Sequence, residues 1–229
     1  MLVDFEDAQM PANANANFRD LFFSTGVLPH GSVREFYTEA TNNLVDITGD
    51  VVGTYRMPHT LAWYANGNFG MDRPPAPGGT TRARDLAQDA AVAANPDVDF
   101  KPFDNDRNGF VDAFIVVHAG RGGEQTGNSN DIWSHKWTLP SVFRADRTKI
   151  FSYLTVPEDA RVGVCAHELG HLLFGFPDLY DVDDTSEGIG NWCLIAGGSW
   201  NGGPRRPAPD RPCSGSRWCC RVGSRRCAR

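Results

Sequence analysis

The chain has 229 residues, 41% of them hydrophobic and 22% charged, which is enough apolar text for one sizeable core or two small ones. It has no run of eighteen apolar residues, so no transmembrane helix is predicted, and its net charge of −6 argues against nucleic acid as a partner. Its opening, MLVDFEDAQM, lacks a basic start and a long apolar stretch, so no signal peptide is read there.

That net charge hides a break. From Pro204 to Arg229 there are eight arginines and one acid, whereas Met1 to Gly203 carries fourteen basic residues against twenty-seven acidic ones. The same stretch holds Cys213, Cys219, Cys220 and Cys227, four prolines, and no apolar period. Two modules are therefore expected: a body at 1–203 and an Arg/Cys/Pro-rich tail at 204–229. The tail is too poor in apolar residues to order and has the text a reading-frame error would produce, with a genuine basic tail as the alternative. Cys165 and Cys193 in the body make no disulfide framework and leave the redox compartment open.

In chain order, Leu2–Phe5 reads as a strand. Ser32-Val33-Arg34-Glu35 is a capping box that opens a helix running to about Thr41. Leu44–Thr48 alternates like a strand, and Val51–Tyr55 is a further candidate. Residues 66–79 are loop, and Arg82–Ala94 is a helix ended by Asn95-Pro96. Ala113–His118 is a strand whose continuous apolar run, Phe114-Ile115-Val116-Val117, suits a central position. Residues 120–130 form a glycine-rich loop, Ile150–Val156 another strand, and Arg161–Phe174 a helix. The fold class is α/β (α+β), a mixed sheet with helices packed on it.

The last helix carries His167-Glu168-Leu169-Gly170-His171, an HExxH motif. Histidines four residues apart share a helix face, so both imidazoles can reach one zinc ion, while Glu168 stands where it can take a proton from a zinc-activated water. Val162, Val164, Ala166, Leu169, Leu172 and Leu173 surround the motif and predict a buried helix, in which two histidines and a glutamate need partners. Gly175 can end the helix in a left-handed conformation, and Pro177 keeps it from resuming. Asp178 is then the first carboxylate brought round as a third ligand, with Asp181, Asp183, Asp184 and Glu187 as alternatives.

A second motif, Asp104-Asn105-Asp106-Arg107-Asn108-Gly109-Phe110-Val111-Asp112, has the front of a calcium loop. Asp104, Asp106, Asn108 and Asp112 supply side-chain oxygens, the Phe110 carbonyl a further ligand, and calcium is the predicted ion. Ile115 stands where an EF-hand would place its closing glutamate. His118 and His135 are expected to be structural, and Trp133 and Trp200 to pack in the core, with the lining of a substrate cleft as the alternative for both tryptophans.

HELGHLLFGFPDLYD resembles the active-site segment of the M6 metallopeptidases, the immune inhibitor A family. The resemblance extends through residues 2–5, 31–37, 48–53, 65–67, 96–100, 104–120, 132–136 and 198–202. It covers most of the body and none of the tail. It implies a metzincin-like mixed twisted sheet with an active-site helix and an incomplete C-terminal subdomain. It also implies a secreted, hence extracellular, zinc endopeptidase acting on protein or peptide substrates, with His167, His171 and Asp178 as zinc ligands and Glu168 as general base. Compared with the metzincin pattern, Phe174 stands where a glycine is usual, Gly175 and Asp178 come one residue later, and Ile195 takes the place of the methionine beneath the metal. Neither a membrane nor an oligomeric state is implied. The alternative function is a truncated, non-catalytic remnant that binds zinc or calcium without turnover.

Overall fold

The computed structural model describes residues 1–71, 82–181, 183 and 185–201. The tail, the loop expected at 72–79, Asp184 and Gly202 lie outside the described residues. In chain order the elements are β1 (Leu2–Asp4), α1 (Ala14–Phe23), α2 (Val33–Ala40), β2 (Tyr55–Arg56), α3 (Leu61–Ala65), α4 (Arg82–Ala94), β3 (Phe114–His118), α5 (Gly123–Thr126), β4 (His135–Ala145), β5 (Thr148–Pro157) and α6 (Val162–Phe174). They divide into two compact units. One is Met1–Asn15 with Val51–Ala160; the other is Ala16–Asp50 with the chain from Arg161 onward.

The first unit is a five-stranded mixed sheet in the order β2-β1-β3-β5-β4, parallel except for β4, which runs antiparallel to β5 at one edge. The apolar strand β3 is central, as its text predicts, with Phe114, Val116 and Val117 buried. Helix α4 lies on the sheet through Ala83, Leu86, Ala87, Ala90, Ala91 and Ala94, all fully buried. These recur every three or four residues, and their small side chains let the helix sit close to the strands. Tyr64 on α3 closes this core and donates its hydroxyl to Asp89 of α4 at 2.6 Å.

In the second unit α2 packs on α6. Both halves of the capping box form: Ser32 Oγ accepts from the Glu35 amide at 3.1 Å, and Glu35 Oε2 accepts from the Ser32 amide at 2.9 Å. Val33, Tyr37 and Ala40 share the buried face of α2. Tyr37 donates its hydroxyl to the Ala166 carbonyl at 2.6 Å and sets its ring 5.4 Å from that of Phe174. Helix α6 is buried from Val162 through Gly170 apart from Gly163, and it ends at Gly175 with φ +64°, as predicted.

Four readings of local structure need correction. Leu44–Thr48 is not a strand: it has no ladder partner, Leu44 is 77% exposed, and Asp46 is held instead by the Arg34 guanidinium at 2.6 and 2.9 Å. Of Val51–Tyr55 only Tyr55 joins the sheet, although the Val52 carbonyl accepts from the Leu2 amide. Strand β4 has no counterpart in the sequence expectations, because Pro140 and a bulge between Thr138 and Phe143 erase its alternation. Helix α1 was hidden in Ala/Asn text without a cap, and its apolar face is Phe18 and Phe22.

Candidate metal centre

Helix α6 presents His167 and His171 one turn apart, and their Nε2 atoms face each other at 2.9 Å. Asp178 Oδ1 lies 3.3 Å from His167 Nε2 and 3.2 Å from His171 Nε2. Three ligands at normal zinc distances in a tetrahedron stand about 3.3–3.4 Å apart, so the triangle has nearly the dimensions of one face of a zinc site.

The outer ring nitrogens decide the chemistry of that triangle. His167 Nδ1 meets the Leu194 carbonyl at 2.8 Å, and His171 Nδ1 meets the Phe176 carbonyl. A carbonyl only accepts, so each Nδ1 carries the proton and each Nε2 is left with a lone pair. Two lone pairs and a carboxylate then converge, an arrangement that repels itself unless a cation sits among them. The residues present therefore fit a metal ion.

Charge follows the same geometry. With no ion between them a proton at Nε2 can take its place: burial opposes protonation of His171, but its hydrogen bonds to Asp178 and the Phe176 carbonyl outweigh that and raise it. Burial likewise opposes ionisation of Asp178, yet the two imidazoles hold its carboxyl well below the usual carboxylate range. Glu168 follows His167 in sequence and is 6% exposed. Asp181 and Asp183 turn away from the triangle onto Thr185 and Ser186. Asp184 lies outside the described residues.

Local sequence explains why the site forms. A Cβ at Gly170 would come within 3.0 Å of Ile195 Cδ1 and of the Tyr37 hydroxyl, and 3.2 Å of the Phe176 ring. Only glycine lets Ile195, α2 and the returning chain close on the helix at this turn. Ile195, the residue expected beneath the metal, is 3% exposed and packs against the Gly170 turn of the helix. The segment after the helix is fixed by the Leu179 amide donating to the Ile195 carbonyl at 2.8 Å. The carbonyls of Leu194 and Phe176 could not be read from sequence, because any residue supplies one. Tyr180 was missed as well. Its ring lies 6.1 Å from His167, and burial, with Asp178 and Glu168 nearby, pushes its hydroxyl up to about 12.

In the first unit, carboxylate oxygens of Asp104, Asp106 and Asp112 come within 4.8 Å of one another. Asn108 turns its side chain onto Asp106 and accepts from the Phe110 amide at 2.8 Å. Lys101 Nζ lies 2.7 Å from Asp104, and its ammonium, with the Gly109 amide, holds that buried carboxyl below the usual range. His118 and His135 are buried and structural, as expected: His118 Nδ1 faces the Ala119 carbonyl, and His135 joins the Trp133 carbonyl to the Tyr153 hydroxyl. Trp133 is not core; it is 41% exposed and stands edge-on to Phe69.

A mixed α/β fold and a helix carrying two histidines that converge with a carboxylate define a metallopeptidase catalytic domain. The chain belongs to the M6 peptidases: the family described as immune inhibitor A peptidase M6, catalytic domain, matches residues 6–214. It is 30% identical over 227 residues to the pre-pro-metalloprotease PrtV of Vibrio cholerae serotype O1, covering 82% of this chain and 24% of that protein. It is 33% identical over 201 residues to immune inhibitor A of Bacillus thuringiensis subsp. alesti, covering 74% of this chain and 28% of that protein. The chain thus spans about a quarter of the length of these relatives. No helix among the described residues is long and apolar enough to cross a membrane.

Proposed function

We propose that residues 1–203 are the catalytic module of a zinc endopeptidase that hydrolyses peptide bonds in protein substrates outside the cell. The observation that carries this is the convergence of His167 Nε2, His171 Nε2 and Asp178 Oδ1 within 3.3 Å, with both Nδ1 protons already committed to carbonyls. His167, His171 and Asp178 would hold zinc, which supplies Lewis acidity to the reacting water and carbonyl. Glu168 would take the proton of the attacking water and return it to the leaving amine. Its burial removes competing solvent from that carboxylate, and its place beside His167 on α6 fixes its approach. Leu194 and Phe176 would keep both imidazoles in the tautomer that leaves Nε2 for the metal.

The test is turnover of an unstructured protein such as casein, with and without 1,10-phenanthroline, in the parent chain and in Glu168→Gln. Chelator-sensitive turnover that Glu168→Gln abolishes supports the endopeptidase. Zinc binding without turnover is the result expected of a non-catalytic remnant.

We also propose that Asp104, Asp106, Asn108, Asp112 and the Phe110 carbonyl hold calcium and brace the start of β3. The support is the meeting of three carboxylates ahead of that strand. Lys101 would have to give up Asp104 to the ion. The role would be stability rather than catalysis.

A further inference from the structure

Addition of water to a peptide carbonyl puts a full negative charge on an oxygen that was neutral. A preorganised donor aimed at that oxygen accelerates the step, because its hydrogen bond strengthens as the charge grows. Most polar protons around the histidine pair are already committed. The Nδ1 protons of His167 and His171 go to Leu194 and Phe176. The Tyr37 hydroxyl goes to Ala166, and its residue is only 1% exposed. Asp178, held ionised by the two imidazoles, has no proton to give.

Tyr180 differs from all of these. Its ring lies beside His167, centroids 6.1 Å apart and planes 31° apart, and the residue is 45% exposed. Its hydroxyl is hydrogen-bonded to the side chain of Ser199, whose Oγ donates in turn to the Ala196 carbonyl at 3.2 Å. The backbone just before it is pinned by the Leu179–Ile195 hydrogen bond. The phenol is therefore held next to a metal-site histidine yet open to an incoming chain.

We propose that Tyr180 is a catalytic residue that donates its phenol hydrogen bond to the oxyanion of peptide hydrolysis, with Ser199 as its positioning residue. The inference rests on the endopeptidase reading above. The Ser199 hydrogen bond anchors the phenol oxygen and leaves the phenol proton to rotate. As charge develops it turns about the Cζ–Oη bond to the substrate oxygen, and no bond to Tyr180 breaks. A neutral peptide carbonyl is a weak acceptor, so the contact contributes little to substrate binding and much to the transition state.

The experiment uses the full chain loaded with zinc, in parent, Tyr180→Phe, Ser199→Ala and Glu168→Gln forms, with a fluorogenic peptide and a phosphinic peptide of the same sequence. Tyr180→Phe is expected to lower kcat by about 100-fold with KM nearly unchanged, and to weaken the phosphinic peptide by a similar factor. Zinc content should stay at the parental level. Ser199→Ala should give a smaller loss with the same split between kcat and KM. Parental kcat and parental phosphinic affinity in Tyr180→Phe overturn the proposal, as does loss of zinc, which would make Tyr180 part of the metal site's scaffold. If Glu168→Gln abolishes turnover while Tyr180→Phe changes nothing, this inference alone fails. If the zinc-loaded parent binds no phosphinic peptide, the endopeptidase reading fails and takes this one with it.

Discussion

The Leu194 carbonyl accepts the Nδ1 proton of His167 across 2.8 Å, so the chain beside the helix dictates which ring nitrogen faces His171 and Asp178. Zinc affinity should depend on that pairing of chain and helix. His167→Ala and His171→Ala each remove one of three converging ligands and should lower zinc affinity by at least about 100-fold, measured by competition with a chromophoric chelator. Parental affinity in either variant would place the ion elsewhere.

Glu168→Gln keeps the shape of the side chain and removes its basicity. Peptidase activity should fall at least about 100-fold while zinc content holds. Activity within a few-fold of the parent would show that another group moves the proton.

Gly170→Ala tests how tightly the turn between the histidines is closed. The added methyl meets Ile195 Cδ1 and the Tyr37 hydroxyl at 3.0 Å, and the hydroxyl cannot move clear without losing its bond to the Ala166 carbonyl. The cost should be about 1–3 kcal/mol of unfolding free energy. Part of it should appear as weaker zinc binding, because Ile195 adjoins the carbonyl that orients His167. An unchanged urea midpoint would mean that Ile195 yields easily.

Millimolar calcium should raise the melting temperature of the chain. Saturation at a hundred times the dissociation constant is worth about 2.7 kcal/mol. Asp106→Ala should abolish the rise without changing zinc content. A melting curve indifferent to calcium in the parent would leave the loop as a set of Asx turns with Lys101 as its counter-ion.

Acid should destabilise the first unit through His118 and His135. Burial pushes both down to about 4, and for His135 the nearby His118 adds to the effect. In the unfolded chain both titrate near about 6.5, so between these values the unfolded state binds more protons. Stability from this source is complete above about pH 6.5 and is lost as the pH falls toward 4. Urea unfolding across that range should show the slope, and His135→Gln should flatten it. An unchanged slope would assign the acid sensitivity to other groups.

Much of this was legible in the sequence, for identifiable reasons. The capping box at Ser32, the Asn95-Pro96 stop that ends α4 and the apolar run of β3 each encode their structure locally, and each formed where it was read. His167, His171 and Asp178 were also locally encoded, by helix spacing followed by a stop at Gly175. What escaped depends on chain brought from elsewhere. Leu44–Thr48 had a strand's alternation but no strand to pair with. The longest strand, β4, is shaped by a bulge and by contacts with α4. Tyr180 gains its interest only from standing beside His167 and Ser199, nineteen residues further on.

That bulge has a consequence for how the protein keeps to itself. Strand β4 is an edge of the sheet among the described residues, with Trp137 and Val142 partly exposed along it. Such a border invites a second chain to continue the ladder. Arg84, reaching over from α4, gives Nε to the Thr138 carbonyl at 2.7 Å and Nη2 to the Leu139 carbonyl at 2.8 Å, and Pro140 removes the next amide. The strand's acceptors are thus taken from within just where the bulge begins. Cutting Arg84 back to alanine leaves the carbonyls of Thr138 and Leu139 open beside the bulge, so light scattering of that variant should grow with concentration more steeply than that of the parent.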